Sequence, residues 1–264
     1  MDYRDRVIVV TGAAGGIGRA LCLRLGRDAG LVGMIDRDRA GLERVRDELR
    51  RSGVRAAAVT ADVRSREETH AAVETIAKKL GAIDILVTAA GVSGISTVED
   101  LQVPLLEDML RVNFLGVVFA IEAVLPGMLE RGRGQIVGIV SLGAVCPLPF
   151  ENAYSASKAA TASYLQSLRP PLRRRGVEVT SIFPGIVRTA LLQHLLDESG
   201  ARTPAGSIAA EDAADAIAAA IRRGRRVAFF PPGVCWPARL AGWLPPAAYD
   251  WVMTRLAVRM NLPH

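Results

Sequence analysis

Short, unbroken apolar runs alternate with segments of helical period along most of this chain. Arg6-Val-Ile-Val-Val-Thr11 reads as a fully buried strand, and a helical pattern carried by Leu21, Leu23 and Leu25 follows it. A second strand covers Leu31–Asp36, a helix about 39–51, and a third strand Ala56–Thr60. A helix at about 66–80 leads to a strand at Ile83–Thr88, and a long helical stretch covers roughly 103–131. A strand at 135–140, a helix from about 153 and a strand at Val177–Phe183 complete the rhythm. Strands that are apolar throughout, rather than alternating, are buried on both faces. The pattern therefore predicts an α/β fold, a doubly wound parallel sheet of Rossmann type covered by helices on both sides. Arg169-Pro170-Pro171 predicts a kink or helix end near Arg169, since an interior proline costs about 3 kcal/mol.

Length and composition narrow this picture. The 264 residues fit one domain, 1–264, with half of them hydrophobic and 23% charged. No apolar run reaches the roughly 18 residues that span a bilayer, and no secretory signal is apparent, so a cytoplasmic location is expected. Three scattered cysteines (Cys22, Cys146, Cys235) point to a reducing compartment. His70 and His194 are isolated, and no metal site is expected. The net charge of +6 suits anionic ligands or an anionic surface. Its clusters, Arg173–Arg175 and Arg222–Arg226, close helical segments, where cations complement the helix dipole, so nucleic acid is not the expected partner.

Two stretches carry candidate chemistry. Gly12-Ala13-Ala14-Gly15-Gly16-Ile17-Gly18 joins a strand to a helix, where small residues let the backbone approach a pyrophosphate at the helix N-terminus. Asp36 ends the next strand, placed to accept both adenosine ribose hydroxyls and to repel a 2′-phosphate. NAD is therefore the expected cofactor, with NADP second because Arg37 and Arg39 stand nearby. Further on, Tyr154 and Lys158 lie one helical turn apart, on one face. An ammonium about 5 Å from a phenol, at an effective dielectric near 20, is worth roughly 3 kcal/mol, or about two pK units. That would bring Tyr154 into the range of general acid–base catalysis, with Ser141 reaching the same substrate oxygen. By composition alone a Tyr-x-x-x-Lys arises by chance about one time in twenty, so its weight depends on the glycine loop upstream.

Together these features resemble the short-chain dehydrogenase/reductase family over residues 5 to about 190. The matching stretches are Thr11–Gly18, the Asp62-Val63 pair, Asn113 within Arg111–Gly116, Ser141, Tyr154 with Lys158, and Pro184-Gly185-Ile186-Val187-Arg188-Thr189. The resemblance implies that Tyr154 exchanges a proton with the substrate oxygen and that Lys158 lowers its pKa and holds the nicotinamide ribose. Ser141 would position that oxygen, and Asn113 would support a water linking the lysine to solvent. It also implies cofactor contacts at Gly12, Ala14, Gly15, Gly16, Ile17, Gly18, Asp36 and Arg37, and at Asp62, Val63, Ala90 and Gly91. Tyr154, Lys158, Pro184, Gly185, Val187 and Thr189 complete that set, and a homodimer or homotetramer is implied as well. Two departures are a Thr88-Ala89-Ala90-Gly91 run where the family has two asparagines, and Val140 where a second serine is frequent.

The variable segments are apolar. Leu142 and Phe150 follow Ser141, and Leu191 and Leu192 open a candidate lid at 190–208, so a lipophilic alcohol or ketone is expected. All three tryptophans fall in the extension 234–264, where Pro245-Pro246 separates two short helices. It reads as a flap over the substrate mouth or a subunit contact, and alternatively as a peripheral membrane anchor. The expected function is NAD-linked interconversion of a secondary alcohol and a ketone. The rivals are an NADP-linked 3-oxoacyl reductase and a non-catalytic dinucleotide sensor.

Overall fold

The structure, a computed structural model, describes residues 3–97, 99–199 and 203–260. The 200–202 part of the candidate lid and the end of the extension, 261–264, lie outside the described residues. The helix side chains of 198–199 and 257–260 do too.

Seven parallel strands form the central sheet: β1 (Val7–Thr11), β2 (Leu31–Asp36), β3 (Arg55–Thr60), β4 (Ile83–Thr88), β5 (Gly134–Ile139), β6 (Val177–Pro184) and, after two short strands, β9 (Val227–Phe230). The short strands, β7 (Val187–Arg188) and β8 (Ile208–Ala209), pair with each other. The sheet order is β3-β2-β1-β4-β5-β6-β9. The chain winds outward one way from β1 through β3 and the other way from β4 onward. A crevice must therefore open at the carboxyl ends of β1 and β4, the switch point where ligands bind in such sheets.

The even spread of apolar residues along each strand has its expected cause. In β1, Ile8 and Val10 face one core, with α1 (Gly16–Ala29), α2 (Arg39–Arg51) and α8 (Ala210–Arg222). Val7 and Val9 face the other, with α3 (Arg66–Leu80), α5 (Gly116–Arg131) and α6 (Asn152–Arg174). The basic clusters Arg173–Arg175 and Arg222–Arg226 do lie at the carboxyl ends of α6 and α8.

Three expectations need correction. First, α6 runs unbroken through Pro170 and Pro171 to Arg174. Packing outweighs the lost ladder bonds, because Leu165 and Leu172 on either side are buried and Arg169 bonds Ser181 Oγ at 3.1 Å. Second, the six apolar runs miss β9, a four-residue edge strand directly after Arg225 and Arg226. Third, the chain does hold an apolar stretch long enough to span a bilayer: over the 103–131 expected to be helical, α4 (Val103–Met109), a π-helical segment (Leu110–Leu115) and α5 make one continuous rod. By length and composition it is apolar enough to cross a membrane. Its apolar side is spent on the sheet instead, since Val117, Ile121, Val124 and Met128 are buried in the second core.

The extension forms α9 (Pro232–Ala241) and α10 (Pro246–Met260), with residues 242–245 between them and Pro246 as the first residue of α10, while α7 (Ala190–Ser199) opens the candidate lid.

Candidate active site

A cavity of about 950 Å³ opens at the switch point and runs from the glycine loop to the extension. Its cofactor end is set by backbone geometry. Gly12 has φ +70°, and a Cβ there would lie 2.5 Å from Ala90 N. A Cβ on Gly18 would lie 1.9 Å from Gly12 O, so the loop closes onto α1 only with glycine at both places. Gly15 caps α1 without a side-chain bond, and nothing lies within 4 Å of where its Cβ would be. Unpaired N–H groups of the first turn thus sit behind an open surface, which suits an anionic pyrophosphate. Thr189 faces Gly16 across the crevice, its methyl 3.4 Å from an added Cβ, and its hydroxyl accepts from Leu192 N at the start of α7.

Asp36 lines the adenosine end and also braces the loop. Its Oδ2 accepts from Ala14 N at 2.9 Å and its Oδ1 from Asp38 N at 3.0 Å, leaving one lone pair on each oxygen for ribose hydroxyls. Arg37 lines the same end, whereas Arg39 is paired with Glu43. Asp62 is tied to Arg64, which holds its carboxyl below the usual range. These groups fit a nicotinamide dinucleotide.

At the other end, Ser141 and Tyr154 line the same wall, near enough for the serine hydroxyl to act on the phenol. Ser141 leaves the carboxyl end of β5 and accepts from Gly143 N at 3.1 Å, fixing its rotamer. Lys158 is buried, donates to Ile139 O at 3.1 Å, and places its ammonium 5.8 Å from the Tyr154 ring centroid.

The expected lowering of the phenol by its lysine is not what the polypeptide alone produces. Burial pushes Tyr154 up to about 12; the Ser141 hydroxyl pulls it down and the Glu151 carboxylate adds to the rise. Burial also pushes Lys158 down to about 8. Burial disfavours the charged form of both groups, and the Lys158 ammonium is turned to the Ile139 carbonyl, so desolvation outweighs the attraction expected from spacing alone.

All the sequence-predicted site residues line this cavity except two. The Ala14 methyl packs toward Gly41 of α2 while its amide serves Asp36. Asn113, fully buried in the π-helical segment, stands behind the wall. Its Oδ1 accepts from Val92 N at 2.8 Å, and its Nδ2 donates to Val92 O and Ser157 Oγ, both at 2.9 Å. Its backbone carbonyl accepts from Thr161 Oγ1. Asn113 is therefore a positioning residue that ties the loop after β4 to α6. The extra residue of a π turn shifts a side chain around the helix, and such turns recur at functional sites. The missing asparagines after β4 are replaced in part by Thr88, whose hydroxyl reaches Val137 O at 3.4 Å.

Leu142, Phe150, Leu191 and Leu192 line the substrate end together with Leu148, Val252 and Met253. Sequence reasoning missed Glu151 and Ser93 in the same wall. The signal for Glu151 was present, one carboxylate closing the apolar stretch Val145–Phe150. The extension is fastened over this end, because Tyr249 donates its hydroxyl proton to Pro147 O.

The family model for short chain dehydrogenase matches residues 6–200. An uncharacterized oxidoreductase of Myxococcus xanthus is 34% identical over 97% of this chain and 98% of that protein. One from Staphylococcus aureus is 35% identical over 71% of this chain and 80% of its own length. Among solved structures, a short-chain dehydrogenase/reductase from Burkholderia phymatum in complex with NAD superposes with a TM-score of 0.82. It has 22% identity and covers all of this chain and 97% of that one. Levodione reductase gives a TM-score of 0.81 at 22% identity, over 89% and 99% of the two chains. Both structures share the fold. The chain belongs to the short-chain dehydrogenase family, an oxidoreductase family built on a nicotinamide-dinucleotide fold.

Proposed function

We propose that this protein interconverts a secondary alcohol and a ketone on a lipophilic substrate, with NAD as the hydride partner. The observation that carries the reading is the gathering of Ser141, Tyr154 and Lys158 in the wall of an apolar chamber that continues into the glycine-loop crevice. Ser141 orients the substrate oxygen. In the reducing direction Tyr154 gives it a proton as the carbonyl carbon gains a hydride. In the oxidising direction the phenolate takes that proton as the carbinol carbon gives up a hydride to the dinucleotide. When bound, the nicotinamide accepts or returns the hydride, and its oxidised form adds a positive charge beside the phenol. A phenol raised by burial holds its proton until an oxygen more basic than phenolate develops next to it, which suits the reducing direction. Lys158 keeps its place through Ile139 O, and Asn113 fixes the loop that faces it. Helices α9 and α10 act as a cover that keeps water from this end, as Ala238, Ala241 and Met253 line it. NADP is the second reading, favoured by Arg37 at the adenosine end.

The test is a screen of lipophilic secondary alcohols and ketones with each dinucleotide, followed at the nicotinamide absorbance. Tyr154→Phe should lower turnover roughly 10²- to 10⁴-fold and leave cofactor affinity nearly unchanged. Better turnover with NADP would reverse the cofactor choice. Turnover indifferent to Tyr154→Phe would leave the dinucleotide sensor standing.

A further inference from the structure

The substrate end of the cavity contains one carboxylate that the reaction above does not use. Glu151 lines the chamber among Leu142, Leu148, Phe150 and Met253. It occupies the N-cap position of α6 but makes no side-chain capping bond there. Its neighbours' donors are spent elsewhere: Asn152 Nδ2 goes to Ser96 O, Ser96 N to Phe150 O, and Ser155 N to the backbone carbonyl of Glu151. Among the described residues no cation offsets its charge; burial alone acts on it, pushing it up to about 7. The charge is close enough to act on Tyr154, three residues along the chain. In the same wall the Ser93 hydroxyl has no hydrogen-bond partner among the described residues.

A half-buried acid set in an apolar wall without a partner in the protein is costly, since polar groups drawn away from water are nearly always paired. Elsewhere the chain pairs its acids readily: Asp84 with Arg6, Asp28 with Arg24, Glu122 with Arg66. An unpaired one facing the chamber next to the proton-exchanging phenol gains a fixed partner when a molecule that enters supplies the donor. We propose that Glu151 selects substrates that carry a second hydrogen-bond-donating group, a hydroxyl or a protonated amine, beside the reacting carbon of an otherwise apolar molecule. This inference rests on the alcohol–ketone reading and makes it narrower: the substrate is an amphiphile with its polar groups together at one end.

Three matched probes test it: a long-chain secondary alcohol, its vicinal diol and its vicinal amino alcohol, each with NAD. Wild type, Glu151→Gln and Glu151→Leu are compared by kcat/KM and by the shift in melting temperature that each probe causes. Wild type should prefer the diol or the amino alcohol over the plain alcohol by roughly tenfold or more, the worth of a hydrogen bond to a charged group. In Glu151→Leu the ratio should fall to parity. Glu151→Gln, which can still accept from a hydroxyl, should keep part of a diol preference and lose an amine preference. A wild type that favours the plain alcohol, or a preference that survives Glu151→Leu, overturns the inference while leaving the alcohol–ketone reading intact. If no probe is turned over, a diol- or amine-specific melting shift lost in Glu151→Leu upholds the carboxylate's role and counts against the redox reading. Absence of any such shift overturns the inference.

Discussion

The two ends of this cavity are held in different ways. At the cofactor end the constraints are backbone contacts: Gly12 against Ala90, Gly18 against Gly12, Asp36 on two amides. At the substrate end they are side-chain packing and side-chain tethers between segments, such as Tyr249 to Pro147 and Asn152 to Ser96. Backbone contacts tolerate almost no change in residue type, because a single methyl collides with atoms that cannot rotate away. Side-chain packing accepts many solutions of equal volume. One polypeptide can thus keep a fixed dinucleotide crevice while its substrate chamber is free to vary.

The largest effect expected from this difference comes from two alanine substitutions three residues apart. Gly18→Ala puts a methyl 1.9 Å from the Gly12 carbonyl oxygen, and it should cost at least about 3 kcal/mol or prevent folding. Gly15 is extended, with φ −150°, and has open space around it. Gly15→Ala should leave stability within about 0.5 kcal/mol of wild type. Its methyl projects into the crevice, so dinucleotide affinity should fall roughly tenfold. Denaturant midpoints and cofactor titration separate the two. If both variants fold equally well, the backbone account of this end is wrong.

The same contrast explains what could be read before the fold was known. Strand, glycine loop, helix and Asp36 were legible because local backbone chemistry dictates them. Tyr154, Lys158 and Ser141 were legible because a helical turn and a strand end fix their spacing. The place of Asn113 behind the cavity wall depends on a π turn that leaves no pattern in Leu110–Leu115. β9 was hidden because a four-residue edge strand beside two arginines has too little periodicity to register. Pro170 and Pro171 misled because a local penalty was weighed without the burial of Leu165 and Leu172. Glu151 stood in plain view, but whether a carboxylate is paired depends on the rest of the chain.

Lys158 sharpens the comparison at a moderate scale, since it is where the two ends meet. Its amine titrates near 8 in the folded protein against an ordinary 10.5, because burial disfavours the charged form. Between those values the unfolded chain binds more protons, so this group makes stability rise with pH there. Below 8 the full penalty applies, up to roughly 3 kcal/mol, offset by about 1 kcal/mol for the bond to Ile139 O. Lys158→Met should therefore be more stable than wild type at pH 7 and lose that advantage towards pH 10, while turnover collapses. The window lies above the titration of Glu151 near 7 and below that of Tyr154 near 12. Chemical denaturation between pH 7 and 10 measures it. Parallel curves for the two proteins would mean that the ammonium is not desolvated.

The smallest effects are expected within the substrate end, where the extension has an inner and an outer face. Met253 is 5% exposed and lines the chamber, whereas Trp243 is 81% exposed. Met253→Ser removes a buried side chain and should cost about 2 to 4 kcal/mol, with KM for a lipophilic substrate rising. Trp243→Ser touches neither core nor chamber and should change stability by no more than about 0.5 kcal/mol, leaving KM alone. Melting curves and steady-state kinetics on both variants check the pair. Among the described side chains of the extension the cations are Arg239, over Phe229 and Trp236, and Arg255, over Trp251, so the charge available to hold an anionic bilayer is small. Co-sedimentation of wild type with anionic vesicles, lost in Trp243→Ser, would reassign that face from the back of a cover to a membrane contact. An equal fall in stability for the two variants would instead show that the extension is gripped from both sides, and that its tryptophans are packed against something the isolated chain does not contain.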